Sequence, residues 1–222
     1  MILVVDYGMG NLRNVMKAFN RVGYQDVIIS NKVKDVEKAD AYVLAGVGAF
    51  GDAMDTLNKL GLVELLTKAV KKDGKPVLGI CLGVQLLATE GFEGGRNKGF
   101  DFIPMSVKKL ELKDSKLRLP HIGWDDTHIV KKDSILFKDV SNGVDFYYVH
   151  SFHPVCEKKE AIAATCDYGG NFVAAVEYKN IFGTQFHPEK SHKFGLLIIK
   201  NFADHVSKIE SEKNSGKQKN KD

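Results

Sequence analysis

The stretch Pro76-Val77-Leu78-Gly79-Ile80-Cys81-Leu82-Gly83 restricts this chain more than any other. Its apolar run reads as a buried strand, and the glycines two residues before and after Cys81 read as a sharp strand-to-helix turn. Such a turn needs residues without a Cβ, both to reach unusual backbone angles and to let neighbouring segments approach closely. It would lift the sulfur out of a sheet to the start of a helix predicted over Leu82 to Thr89, where N–H groups favour negative charge and therefore a thiolate. Taken alone, Cys81 is as well explained by a small buried hydrophobe as by a nucleophile. The rest of the chain decides between them.

Strand–helix alternation surrounds that turn. Ile2 to Val5, Val27 to Ser30, Ala41 to Ala45 and Pro76 to Ile80 read as short strands. Leu12 to Val22 carries apolar residues at helical spacing, and Phe50 to Lys72 is helical with an interruption near Gly61. The second half is richer in strands: Val107 to Leu112, Asp145 to His150, Ala161 to Cys166, Phe172 to Tyr178 and Ile181 to Phe186. A helix over Leu196 to Val206 closes the pattern. The predicted fold is α/β, with one mixed, mostly parallel central sheet and helices on both faces. The expected organisation is a single domain over residues 1–206, followed by a charged, disordered tail over 207–222. That tail holds five lysines against three acids, half of the net charge of +4. No aromatic residues interleave with its lysines, which argues for solvation rather than nucleic-acid binding.

Other classes lose support on composition and spacing. No apolar run is long enough to span a membrane, and the N-terminus has no secretory pattern, so the expected location is cytoplasmic. Three scattered cysteines, Cys81, Cys156 and Cys166, give neither a disulfide framework nor a zinc site. Gly8 and Gly10 lack the third glycine of a dinucleotide fingerprint, and Gly91 to Gly99 lacks the Lys-Ser/Thr of a phosphate loop. No metal and no cofactor is expected.

A thiol nucleophile needs a base and an orienting group. His187, at the end of the apolar run Ile181 to Phe186, is the best candidate, with Glu189 two positions on across the rigid Pro188. The competing reading is a strand-capping histidine beside a surface glutamate. His150 and His153 are rivals without an acid close by, and a metal reading of His150, His153 and His187 lacks a further ligand. Parallel sheets place their crevice at the carboxyl ends of the strands. There the segments Asp6 to Asn11, Ala45 to Phe50 and the cysteine turn converge.

Gly79-Ile80-Cys81-Leu82-Gly83-Val84-Gln85-Leu86-Leu87 together with Gln185-Phe186-His187-Pro188-Glu189 resembles the class I glutamine amidotransferases. Asp6-Tyr7-Gly8-Met9-Gly10-Asn11-Leu12, Gly46-Val47-Gly48-Ala49-Phe50, Leu119-Pro120-His121-Ile122-Gly123-Trp124, Tyr148-Val149-His150-Ser151 and His187-Pro188-Glu189-Lys190-Ser191 extend the resemblance over nearly the whole chain. They match members that dock as a heterodimer on a (β/α)8 barrel cyclase and feed it ammonia for imidazole glycerol phosphate and an aminoimidazole ribotide. The resemblance implies glutamine as substrate and a catalytic triad of Cys81, His187 and Glu189. It implies oxyanion donors at the N–H of Leu82 and in Gly46-Val47-Gly48, the latter able to turn away until the partner binds. Gln85, Ser151 and Phe152 would hold the amino-acid end of the substrate. Asn11, Trp124, Tyr147 and Lys190 match the partner surface. Ala45 stands where the family usually has proline and Asp125 where it usually has asparagine. A paralogue serving a sugar-modifying amidotransferase, a partner-independent γ-glutamyl hydrolase and a non-enzymatic scaffold are the alternatives, and the intact Cys81, His187 and Glu189 argue against the last.

Overall fold

A computed structural model describes residues 1–219. Among the described residues thirteen strands and six α-helices follow one another, beginning with β1 (Ile2–Val5), α1 (Leu12–Arg21), β2 (Val27–Ser30), α2 (Val33–Lys38), β3 (Ala41–Gly46), α3 (Phe50–Lys59), α4 (Leu62–Thr67), β4 (Val77–Cys81) and α5 (Leu82–Leu86). There follow β5 (Ala88–Gly91), β6 (Asn97–Lys98), β7 (Ile103–Lys109), β8 (His121–Ile129), β9 (Val144–His150), β10 (Phe152–Cys156), β11 (Ile162–Asp167), β12 (Asn171–Tyr178), β13 (Ile181–Thr184) and α6 (His192–Lys219). A wide helical turn over Lys68–Lys72 continues α4.

Nine strands form the central sheet in the order β2-β1-β3-β4-β13-β12-β11-β8-β9. The five from β2 to β13 run parallel, and each pairing from β13 to β9 is antiparallel. Alternation within β1 explains why helices cover both faces. Ile2 and Val4 bury against Leu12, Val15 and Phe19 of α1 and Phe202 of α6. Leu3 and Val5, pointing the other way, pack with Val36, Leu57 and Leu66 of α2, α3 and α4. A strand buried on both faces is apolar throughout, and all six residues of β3 are buried.

The expected single sheet is joined by a second one of four strands, β10-β7-β5-β6. It stacks Ile103, Met105 and Val107 of β7 on the cluster that contains Val173 and Val176 of β12. This sheet cuts short the helix predicted to reach Thr89. The chain leaves α5 after Leu86, where the Leu87 carbonyl accepts from the N–H groups of Phe102 and Ile103 at 2.9 and 3.1 Å.

The predicted tail boundary at residue 206 is no break in the chain: α6 runs on to Lys219. Glu210 explains part of this continuation. Its carboxylate accepts a hydrogen bond from the Met1 ammonium at 2.9 Å, tying the last helix to the edge of β1. Residues 220–222, the end of the expected disordered tail, lie outside the described residues. No helix among the described residues is long and apolar enough to cross a membrane.

Candidate active site

Cys81 ends β4 with φ 54° and ψ −109°, a conformation that a residue with a Cβ rarely adopts. Packing holds it there. A Cβ on Gly79 would stand 2.6 Å from the backbone of Gly83 and Val84, and one on Gly83 would drive into the carbonyl oxygen of Leu44. The two glycines therefore let α5 sit directly on β3 and β4, which fixes the sulfur above the sheet. The side chain is 4% exposed.

The parallel strands on either side supply the remaining groups. β3 pairs Gly46 with Cys81, so Val47 and Gly48 emerge beside the sulfur. β13 pairs Thr184 with Ile80, so the chain arrives at Gln185, Phe186 and His187 on the other side. His187 Nδ1 meets Glu189 Oε1 at 2.8 Å, with both side chains 5% exposed. Pro188 opens a short 3-10 turn over Pro188–Lys190 that brings the carboxylate back beneath the ring. The main chain of His187 is fixed as well, donating to Tyr147 O at 2.9 Å while its carbonyl accepts from Ser191 Oγ at 2.7 Å.

His187 Nε2 is buried and makes no hydrogen bond among the described residues. Burial opposes a charge on this ring, yet its interactions with the Cys81 sulfur and then with the Glu189 carboxylate raise its pKa to about 9. Among the described residues no hydrogen bond joins the sulfur to the imidazole. The thiol instead points to Val149 O at 3.7 Å. A glutamate that fixes Nδ1 leaves Nε2 free to face the sulfur, the arrangement a thiol nucleophile requires.

Cys81, Leu82, Val47, Gly48, Gln85, Ser151 and Phe152 line one cleft of about 240 Å³, together with Glu93, Val149 and His150. Every residue expected at the oxyanion and substrate positions lies there, apart from Gly46, which sits one residue behind. Gly46 is where Tyr7 packs: a Cβ would meet the Tyr7 hydroxyl, itself buried with no hydrogen-bond partner among the described residues. Gln85 Nε2 donates to Phe152 O at 2.9 Å and to Gln185 Oε1 at 3.1 Å. Glu93, which the sequence did not single out, accepts from the Phe50 N–H at 2.9 Å and so ties β5's loop to the start of α3. Its place forty-three residues from Phe50 leaves no local pattern. Gln185 also escaped a role, although its Nε2 approaches Cys81 Sγ at 3.9 Å. A larger cleft of about 850 Å³, between α6 and residues 131–140, shares no residue with this one.

Trp124, Tyr147 and Lys190 come together on the surface. The indole is 40% exposed. It stacks on His192 at 4.6 Å and lies 5.7 Å from the Tyr147 ring, over which Lys190 Nζ sits at 5.7 Å. Asn11 is the N-cap of α1, accepting from the Asn14 N–H at 3.2 Å. His150 and His153 lie outside the cysteine–histidine pair, and His150 is hydrogen-bonded to His121 instead.

The family model for glutamine amidotransferase class-I matches residues 3–206. The chain therefore belongs to the class I glutamine amidotransferases. Within that family its relatives are named imidazole glycerol phosphate synthase subunit HisH. The chain is 46% identical to the HisH 1 protein of Campylobacter jejuni subsp. jejuni serotype O:23/36 (strain 81-176), over 91% of this chain and 99% of the relative. It is 45% identical to that of Syntrophotalea carbinolica, over 92% and 100%, and 42% identical to that of Aquifex aeolicus, over 93% and 98%. Solved structures share the fold at lower identity. The glutaminase domain of Trypanosoma brucei CTPS with bound acivicin superposes with a TM-score of 0.63 at 18% identity, covering 93% of each chain. A crystal structure of a glutamine amidotransferase does so at 0.68 and 18%, covering 93% of this chain and all of that one.

Proposed function

We propose that this chain is the glutaminase subunit of an imidazole glycerol phosphate synthase, acting in histidine biosynthesis in the cytoplasm. The observation that carries the reading is the cysteine held at positive φ beside a buried histidine whose far nitrogen is fixed by glutamate. Cys81 Sγ attacks the carboxamide carbon of glutamine with the proton held on His187 Nε2, where a pKa of about 9 keeps it at neutral pH. The tetrahedral oxyanion is met by the N–H of Leu82 at the start of α5 and by the Val47 segment of β3. His187 then gives its proton to the departing nitrogen, and ammonia leaves with a glutamyl thioester on Cys81. Water, deprotonated by His187, hydrolyses the thioester to glutamate and restores the thiol. Glu189 holds the ring in one orientation throughout. Gln85 and the backbone at Ser151 and Phe152 bind the amino-acid end of the substrate.

The ammonia passes to a (β/α)8 barrel cyclase docked as a heterodimer on the face of Asn11, Trp124, Tyr147 and Lys190. A half-exposed tryptophan stacked on a second ring is a rigid anchor of the kind that dominates interfaces. Glutamate release by the purified chain, alone and with a purified barrel cyclase and its ribotide ligand, tests this reading. Stimulation by the cyclase that Cys81→Ala abolishes is expected. Equal turnover with and without the cyclase would instead indicate a self-sufficient γ-glutamyl hydrolase, and no turnover in any mixture would overturn the glutaminase reading.

A further inference from the structure

Behind the cleft, three side chains form a line that the mechanism does not use. His121 opens β8 and His150 ends β9, and the two are directly opposite in the antiparallel ladder. Asp125 lies four residues after His121 on the same face of β8. The position between them is Gly123, with no side chain in the way, so the carboxylate reaches the ring. Asp125 Oδ2 lies 2.6 Å from His121 Nε2, His121 Nδ1 lies 3.2 Å from His150 Nε2, and His150 Nδ1 lies 2.9 Å from the Phe152 carbonyl. The His121 ring is wholly buried and His150 is 6% exposed.

The three contacts cannot all be hydrogen bonds if both rings are neutral and the carboxylate is ionised. Each end of the line is then a pure acceptor, a carboxylate oxygen at one and a carbonyl oxygen at the other. Each neutral imidazole carries one proton. Serving the two ends places these protons on His121 Nε2 and His150 Nδ1. Nδ1 of His121 and Nε2 of His150 then face each other at 3.2 Å as two bare lone pairs. Unpaired polar atoms buried in contact are costly.

We propose that Asp125, His121 and His150 hold one additional proton in common, and that this proton, by joining His121 to His150, fixes the ring that donates to the Phe152 carbonyl on the wall of the glutamine cleft. With it the line makes three hydrogen bonds and the cluster is neutral. Either one ring is an imidazolium against the carboxylate, or the carboxyl donates to His121 and each ring donates onward from Nδ1. The same Phe152 carbonyl accepts from Gln85 Nε2, so its position sets that of a substrate-facing amide. This deepens the glutaminase reading and rests on it for its kinetic consequence.

The surroundings are largely aromatic and disfavour charge on either ring, so only the bonds within the line hold the added proton. Tyr148 and Tyr168 stack on the two sides of His121 at 4.9 and 3.9 Å, with Phe172 edge-on. Charges on Asp125 and Cys166 of β11 act on each other, and those of His153 of β10 and His187 act on His150. Burial first, and then His121, push the His150 pKa down to about 3, so a lone charge on that ring is disfavoured. Burial likewise lowers His121, opposed only by Asp125.

Nitrogen-15 NMR of the imidazoles in the full chain, with His121 and His150 assigned, reads the proton directly and needs no catalysis. A proton is expected on His121 Nδ1 or His150 Nε2 at pH 7. Both of those nitrogens bare at every pH from 5 to 9 would overturn the proposal, whether or not the chain hydrolyses glutamine. In the complex with the cyclase, the glutamine KM of the wild type should rise about fivefold as pH rises and the proton leaves, with kcat changing less. Asp125→Asn, whose carboxamide donates to His121 without an added proton, should keep a flat KM. An equally steep rise in Asp125→Asn would also overturn it. A protonated inner nitrogen in a chain that never releases glutamate would instead sink the glutaminase reading and leave the shared proton standing.

Discussion

His187 is the residue whose environment says most about the chemistry. Its ring is buried, which by itself disfavours charge, and yet the sulfur and the carboxylate beside it hold its pKa at about 9. A folded-state pKa above the unfolded value near 6.5 means that the protonated ring stabilises the fold. That stabilisation is complete below about pH 6.5 and is lost as pH rises through 9. The difference in unfolding free energy between wild type and His187→Gln, from urea titrations, should therefore shrink between pH 6.5 and pH 9.5. A difference that stays constant or grows would contradict the assigned partners. Much at this scale was legible in the sequence. The spacing His187-Pro188-Glu189 carried its own geometry, since a proline-led turn returns a carboxylate two positions on to the ring before it. Glu93 and the Asp125–His121–His150 line were not legible, because their partners meet only through sheet pairing and loop packing.

At the scale of elements, the turn from β4 into α5 is the part most dependent on glycine. Gly83 has the Leu44 carbonyl where a Cβ would be. Gly83→Ala should cost about 1–3 kcal/mol of stability by denaturant titration, the range of overpacked cores, and should lower kcat by displacing the sulfur. An alanine variant of full stability and activity would show that α5 is free to shift. The next strand poses a subtler question. Ala45 is buried in β3 directly before Gly46. Proline there would fix φ and stiffen the approach to Val47 and Gly48. Ala45→Pro should reduce partner-free glutamate release several-fold. Unchanged rates with and without the cyclase would detach Ala45 from control of the oxyanion segment. Strands read from apolar alternation agreed with the structure to within a residue or two for β1, β2 and β3. The small sheet escaped notice because β5 and β6 are only four and two residues long and owe their shape to pairing, not to pattern.

For the molecule as a whole, the topology links the cleft to the proposed docking face. The parallel strands β3, β4 and β13 deliver Val47, Cys81 and His187 to one edge, the crevice side of an α/β sheet. The antiparallel extension through β8 and β9 carries Trp124 and Tyr147 to the surface, and β9 continues directly into the Ser151 and Phe152 wall of the cleft. A partner seated on Trp124, as proposed, would contact strands that end at the cleft. Trp124→Ala should weaken association with the barrel cyclase by about tenfold or more, read by titration calorimetry, while leaving the fold intact. Unchanged affinity would place the docking face elsewhere. The central claim is that Cys81 carries the glutamyl group. Acid quenching of the cyclase complex during turnover of carbon-labelled glutamine, followed by peptide mass spectrometry, tests it most directly. A glutamyl thioester is expected on the peptide that contains Cys81, and its loss in Cys81→Ala. Glutamate release without any label on Cys81, or with label on Cys156 or Cys166, would contradict it.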